Sequence, residues 1–299
     1  MWQLTTAGQI ADLLGAELLG ADTRLARPTA LWDADSDSLC FLTEKPAADF
    51  DFSKPPGLTI ALPEVVSMLR DANYPVIAHD APKFAFCKAV HTLMRPPSIG
   101  GVHETAILSP EVTLGANVSI GPFCVLEGQI ELGDGVVLES AVNLYNSVMV
   151  GAETTIRSGA RIGYDPFSFG QSASGEAYPF PAYGSVRIGS FVDIYHNVSI
   201  ARGTAADTVI ADWVRIGNHA HIGNAVEIEM GTTICAQTDI SAQVRIGPGC
   251  WIAQSAAIRQ KVLIGAETTV GMGAVVVENV PARVTVTGVP ARVRGEMAS

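Results

Sequence analysis

Charge and aromatic rings are scarce in this 299-residue chain: charged residues make up 16% and aromatic residues 7%. With 48% apolar residues, so little charge excludes an intrinsically disordered chain. Positive charge is the scarcer sign. Nineteen Lys and Arg face 30 Asp and Glu, a net charge of −11, which excludes the basic footprint of a nucleic-acid binder. No apolar run reaches the roughly 18 residues of a membrane span, so none is expected. Met1-Trp2-Gln3-Leu4 offers neither a basic n-region nor an apolar h-region, so no signal peptide is expected. Cysteine is sparse and scattered, at Cys40, Cys87, Cys124, Cys235 and Cys250, without a C-x-x-C. A disulfide framework or a metal site is therefore not expected, and a reducing, cytoplasmic setting fits.

What the chain does have is 29 glycines and a repeat. From Leu108, every sixth residue is aliphatic through Leu114, Ile120, Leu126, Leu132, Leu138, Leu144, Val150 and Ile156 to Ile162. The register resumes at Ile188, Ile194 and Ile200, slips by four residues, and runs from Ile210 to Val276, making 25 hexads without a polar exception. Two residues before each rung the side chain is small (Val, Cys, Thr or Ala), apart from Ile130, and glycine often follows the rung. A period of six matches neither the 3.6 of a helix nor the 2 of a half-buried strand. It fits a mainly β fold, a left-handed parallel β-helix with three hexads per coil, the aliphatic inside and glycine easing the corner. Residues 18 apart then stack at the strand spacing of about 4.8 Å, and 25 hexads give about eight coils. Such a solenoid can serve as a scaffold alone. A loop of about 20 extra residues between Ile162 and Ile188, rich in Tyr, Phe, Gly, Ser and Pro, argues for function.

Residues 1–98 carry no hexads and read as a small α/β domain. Thr5-Thr6-Ala7-Gly8-Gln9 before Ile10, Leu13 and Leu14 reads as a capped helix. Leu58 to Ala61 and Pro75 to Ala78 read as strands, and Phe84 to Met94 as a second helix. The β-helix domain spans 99–283, and 284–299 form a short C-terminal tail.

Together these pieces resemble the bacterial UDP-3-O-(3-hydroxyacyl)glucosamine N-acyltransferases of lipid A biosynthesis, over nearly the whole chain. Arg157 to Ala160 and Tyr164 to Phe167 look like the family's segment entering the loop, and Pro181 to Gly189 like its return. Ala201-Arg202-Gly203-Thr204 to Ile210 looks like its Arg-Gly…Asp-Thr insertion, which accounts for the slip. The resemblance implies a homotrimer with sites between rods. It also implies acyl transfer from a phosphopantetheine thioester to the amine of a nucleotide-linked amino sugar, with the base of the nucleotide held by the N-terminal domain. It implies no tightly bound cofactor, the acyl donor being a co-substrate. The family's catalytic histidine matches Asn224, within His219-Ala220-His221-Ile222-Gly223-Asn224, and a second family histidine matches Lys261. Of its two base-stacking aromatics, one matches Phe41 and the other Ala47, with Phe50 or Phe52 as substitutes. Asp165 and Phe167, in the segment entering the loop, are further substrate-binding candidates.

Acyl transfer from a thioester to an amine needs a proton acceptor and a stabilised oxyanion. A neutral histidine suits the first task. His221, directly before the inward Ile222, is the first choice for the base and His196 the second, with His219 beside them; a surface imidazole satisfied by backbone is the plain alternative. Asn224 can hold a hydroxyl or an oxyanion but cannot usefully accept a proton. Lys261 suits a phosphate. The loop aromatics suit nucleotide stacking, an acyl groove or simple packing, and Trp213 and Trp251 suit an acyl pocket. Arg283, Arg292 and Arg294, with Arg245, Arg259 and Lys261, are basic enough for acidic acyl carrier protein or for coenzyme A phosphates, and do not choose between acyl carrier protein and acyl-CoA as donor. Two alternative functions stand beside the first: a short-chain acyl-CoA sugar acyltransferase for surface polysaccharide, and a catalytically silent ligand-binding homologue.

Overall fold

The computed structural model describes residues 2–44, 54–71, 73–95 and 100–296. The chain divides into two compact units, Met1–Pro97 and Ser98–Ser299.

In the first unit, five strands run side by side in the order Leu18–Leu19, Val76–Ala78, Leu58–Ala61, Ser38–Leu42, Arg27–Pro28. Alternation sorts the side chains. Leu39, Leu58, Ile60 and Ile77 bury against helices Ala7–Leu14 and Pro82–Ala89, while Cys40, Ala61 and Val76 bury against helix Pro63–Asp71. Helix Ala7–Leu14 begins where Thr6 and Gln9 form a reciprocal capping box and ends at Gly15, whose φ of 63° is left-handed. The expected helix from Phe84 is in place, starting at Pro82 and widening into a π-type turn over Val90–Met94. Helix Pro63–Asp71 has little apolar signal: only Val65 and Leu69, one turn apart, are buried.

The second unit is a three-sided left-handed parallel β-helix. Partners are 18 residues apart, as in His221↔Asp239, Glu227↔Arg245 and Thr233↔Trp251, one pair from each face. The first face carries Arg161–Tyr164, Ser199–Ala201, His221–Ile222, Asp239–Ile240 and Ala257–Ile258 as neighbours. The second face carries Glu227–Ile228, Arg245–Ile246 and Leu263–Ile264, and the third Asp193–Ile194, Arg215–Ile216 and Trp251–Ile252. From Ile120 to Val276 every rung is buried. The column of small residues does more than save space. Thr154, Thr232 and Thr268 donate their hydroxyls to the corner carbonyls of Gly189, Gly247 and Pro281 in the next coil, at 2.8 to 2.9 Å.

Two expectations change. Among the described residues the third face has 11 strands, of which the last, Arg292–Glu296, is antiparallel, so ten coils pass through it rather than eight. The ladder extends past both ends of the 25 hexads, to Val102 and to Val286, the latter pairing with Val270 across a coil shortened to 16 residues. Apart from Gly163, whose φ is 86°, the glycines after the rungs do not supply left-handed corner dihedrals. A Cβ on Gly217 or Gly247 would lie 2.6 to 2.7 Å from backbone of the coil above, so glycine is required there for close approach. The left-handed corner residue comes three after the rung and takes many types, including Asn197, His219, Gln237 and Lys261, with φ between 57° and 63°.

The long loop leaves after Tyr164, folds as a hairpin of Phe169–Gln171 against Ala177–Pro179, and returns at Val186. The insertion after Ala201 clasps both its ends. Arg202 bonds Asp165 at 2.7 Å, and its backbone N–H donates to Tyr164 O at 3.1 Å. On the returning side the N–H groups of Tyr183 and Gly184 donate to Thr204 O and Gly203 O. Asp207 accepts from Ser185 N at 2.8 Å and from Arg187 Nε at 2.6 Å. The Arg187 guanidinium and the Ser185 donors hold its carboxyl at a pKa of about 2.

Candidate active site on the first face

The first face gathers most of the residues singled out in the sequence. Its two edges are vertices of the prism, and the side chains before each rung line its surface. His221 stands on the face itself, with Ser199 on the coil below and Asp239 on the coil above. Asn224 and Lys261 both lie on the vertex where the first face turns into the second. Gln243 N–H bonds Asn224 O, and Lys261 N–H bonds Ala242 O, which sets the two residues two coils apart. At the strand spacing this is about 10 Å. His196 and His219 lie on the other edge, where the third face turns into the first, on successive coils joined by His219 N–H to His196 O at 3.0 Å.

These imidazoles have different surroundings. His221 is half-buried, and its Nδ1 lies 3.0 Å from Ser199 Oγ and 3.3 Å from Tyr164 Oη. Tyr164 reaches it from two coils below, as the last residue of its strand before the loop departs. Burial pushes the Tyr164 phenol above its usual pKa, with a hydrogen bond from Ser199 opposing. The phenol is thus a neutral dipole at ordinary pH. His196 is half exposed, with Nδ1 at 4.0 Å from Glu139 Oε2. Glu139 is already engaged by Arg157, at 3.2 Å, and by Ser158 N and Oγ. Arg157 also holds Asp193 at 3.3 Å and lies over the Tyr195 ring, 4.4 Å from its centroid. His196 therefore borders a cluster in which Arg157 is shared by two carboxylates, Glu139 and Asp193. His219 is an exposed corner residue with φ of 60°.

The remaining candidates separate. Asn224 is half-buried, and its side chain forms no hydrogen bond among the described residues. Lys261 is exposed at a left-handed corner with φ of 63°. Asp165 is paired with Arg202, and Phe167, 96% exposed, meets Phe169 edge-on at 5.4 Å. Phe41 belongs to the first unit, where it is half-buried against Phe86 at 4.9 Å. Ala47, Phe50 and Phe52 lie outside the described residues. Trp213 stacks flat on Phe191 at 4.3 Å, on the vertex opposite the His221 face, and Trp251 lies on the third face. Neither tryptophan lines the face that carries His221. Four thiols are quiet, since burial raises Cys40 to about 12 and also raises Cys124, Cys235 and Cys250. No group of three or more His, Cys, Asp or Glu among the described residues is placed to hold a metal.

Sequence reasoning missed the partners of His221. Ser199 precedes a rung as His221 does, one coil away in register, so the ladder itself points to it. Tyr164 has no such signal, because its reach depends on the bulge between Ile162 and Tyr164.

No family model matches the chain. It is 34% identical over 256 residues to the UDP-3-O-acylglucosamine N-acyltransferase of Delftia acidovorans, covering 84% of this chain and 76% of that protein. The Pseudomonas entomophila protein of the same name is 33% identical over 244 residues, covering 75% and 68%. A crystal structure of a UDP-N-acetylglucosamine acyltransferase from Bacteroides fragilis superposes with a TM-score of 0.60 at 22% identity, over 66% of this chain and 74% of that one. This last likeness speaks for the fold alone.

Proposed function

The chain belongs to the UDP-3-O-acylglucosamine N-acyltransferase family, and from that premise we propose that it moves an acyl group from a thioester to the amine of a nucleotide-linked amino sugar, with His221 as the base. It is an acyltransferase, and the lipid A-type pathway is the setting its relatives support. The observation that carries the assignment to His221 is the open first face. Among His196, His219 and His221, which border this face, His221 alone is held by neutral hydroxyls, and by the resemblance Asn224 stands where the family has its histidine.

The chemistry follows from the groups present. The acceptor nitrogen attacks the thioester carbonyl carbon, a C–N bond forms, and His221 Nε2 takes the N–H proton. The Asn224 side-chain NH2, free of other bonds, donates to the developing oxyanion. As the C–S bond breaks, the imidazolium returns its proton to the departing thiolate. Asp239, exposed one coil above His221, places a negative charge where an ammonium would approach. His196 and His219 on one edge, and Lys261 on the other, would contact the substrates; Lys261 suits a phosphate. Phe41 would hold the nucleotide base.

A homotrimer suits this reading. The loop hairpin leaves Phe167, Phe169, Tyr178, Phe180 and Tyr183 at 45% or more exposure in a single chain, an aromatic surface that a second copy would cover. Two surface depressions, of about 630 and 450 Å³, lie on the second face, away from His221. The donor is acyl carrier protein or acyl-CoA. Incubating purified protein with UDP-linked amino sugars and each donor, and following amide formation by mass spectrometry, tests the reading. Amide product with either donor supports it. Nucleotide-sugar binding without turnover would leave a silent homologue.

A further inference from the structure

The structure ties down one nitrogen of His221. Nδ1 faces Ser199 Oγ and Tyr164 Oη, and no described residue hydrogen-bonds to Nε2. A neutral imidazole has one N–H and one lone pair, and the partner of one nitrogen decides which atom carries the proton.

We propose that Tyr164 and Ser199 are positioning residues that hold His221 as the Nδ1–H tautomer, so that the Nε2 lone pair is the one that meets the acceptor amine. The proposal rests on His221 as the base. In this arrangement Nδ1–H is shared between Ser199 Oγ at 3.0 Å and Tyr164 Oη at 3.3 Å, both of which accept. Both partners of Nδ1 are hydroxyls, and no described carboxylate or lysine hydrogen-bonds to that nitrogen. When Nε2 accepts a proton, the Nδ1–H bond to Ser199 becomes charge-assisted and strengthens, an interaction gained along the reaction rather than before it.

The placement of Tyr164 is secured from outside the face. Its carbonyl accepts from Arg202 N at 3.1 Å, and the next residue, Asp165, is bound by the Arg202 side chain at 2.7 Å. The insertion thereby fixes the point where the loop leaves, and that point carries the phenol to the base. A tyrosine needed only for packing would satisfy its hydroxyl on any nearby acceptor. Here the hydroxyl reaches the one rod histidine on the open face.

The test reads the tautomer directly. In full-length protein with 15N-labelled histidine, the His221 ring signals are identified by their loss in His221→Gln. Near neutral pH, wild-type Nε2 is expected to resonate as an unprotonated nitrogen and Nδ1 as a protonated one. In a Tyr164→Phe, Ser199→Ala double variant both are expected to move toward the averaged shifts of free imidazole. In the same variant kcat falls about tenfold while KM for the amino sugar stays within about twofold. Ordered folding of the variant is checked by its circular dichroism melt. Wild-type Nε2 carrying the proton overturns the proposal, as does a double variant whose tautomer is unchanged. Full turnover by His221→Gln would instead remove His221 as base, leaving the spectroscopic result intact, so the two failures are distinguishable.

Discussion

Arg202 Nη2 lies 2.7 Å from Asp165 Oδ1, so a short insertion in one coil grips the first residues of a loop that left the rod one strand earlier on the same face. The grip depends on a turn that only glycine permits. A Cβ on Gly203 would fall 1.4 Å from Ala206 O. Gly203→Ala is therefore expected to open the turn and loosen the loop at both ends, while the buried ladder stays folded. Limited proteolysis checks this: cleavage within 165–183 should quicken about fivefold or more, with rod fragments persisting. Equal cleavage rates in both proteins would mean that the insertion does not restrain the loop.

The returning end has a pH signature. Asp207 is held at about 2 by Arg187 and Ser185, below the roughly 3.9 of an unfolded aspartate. A lowered folded pKa means stability that is present above the unfolded value and lost as pH falls through the folded one, so the window runs from about pH 4 to pH 2. Its size is on the order of 1 kcal/mol once solvent screening of the half-exposed Arg187 is allowed for. Urea unfolding of wild type and Asp207→Asn should differ at neutral pH and converge near pH 2. A gap that persists there would contradict the ion pair as its source.

The ladder predicts a stability difference within one position. Ile222 is fully buried beneath the His221 face. Ile222→Ala should cost about 2–5 kcal/mol, and Ile222→Val about 0.5–1.5 kcal/mol, by chemical denaturation. Equal small losses would mean that the prism interior collapses around the cavity.

Asn224 and His221 should respond differently. Removing one oxyanion donor typically costs about a hundredfold or more in kcat. Asn224→Ala is accordingly expected to lower kcat by about that factor and leave the acidic limb of the pH–rate profile in place. A loss of less than about tenfold would mean that Asn224 is not the oxyanion donor.

Much of this was legible in the residues and some was not. The six-residue ladder set the prism, because one buried aliphatic per hexad leaves no other way to bury them all. It also placed His196, His219, His221, Asn224 and Lys261 around one face, since position within the hexad fixes face and edge. The capping box at Thr6 and Gln9 likewise announced its helix. The glycines after the rungs misled, because a sequence does not distinguish a residue chosen for φ from one chosen for backbone clearance, as at Gly217. Helix Pro63–Asp71 was missed because two buried residues, Val65 and Leu69, are too few to show a period. Tyr164 was read as one more loop aromatic, since its bond to His221 spans two coils and follows from a bulge.

The most direct test of the central claim compares acyl transfer to the amino-sugar amine by wild type and His221→Ala, under saturating donor, with circular dichroism to confirm folding. The account predicts a fall in kcat of about a hundredfold or more, with nucleotide-sugar affinity preserved. A folded His221→Ala enzyme that forms amide at the wild-type rate would contradict it.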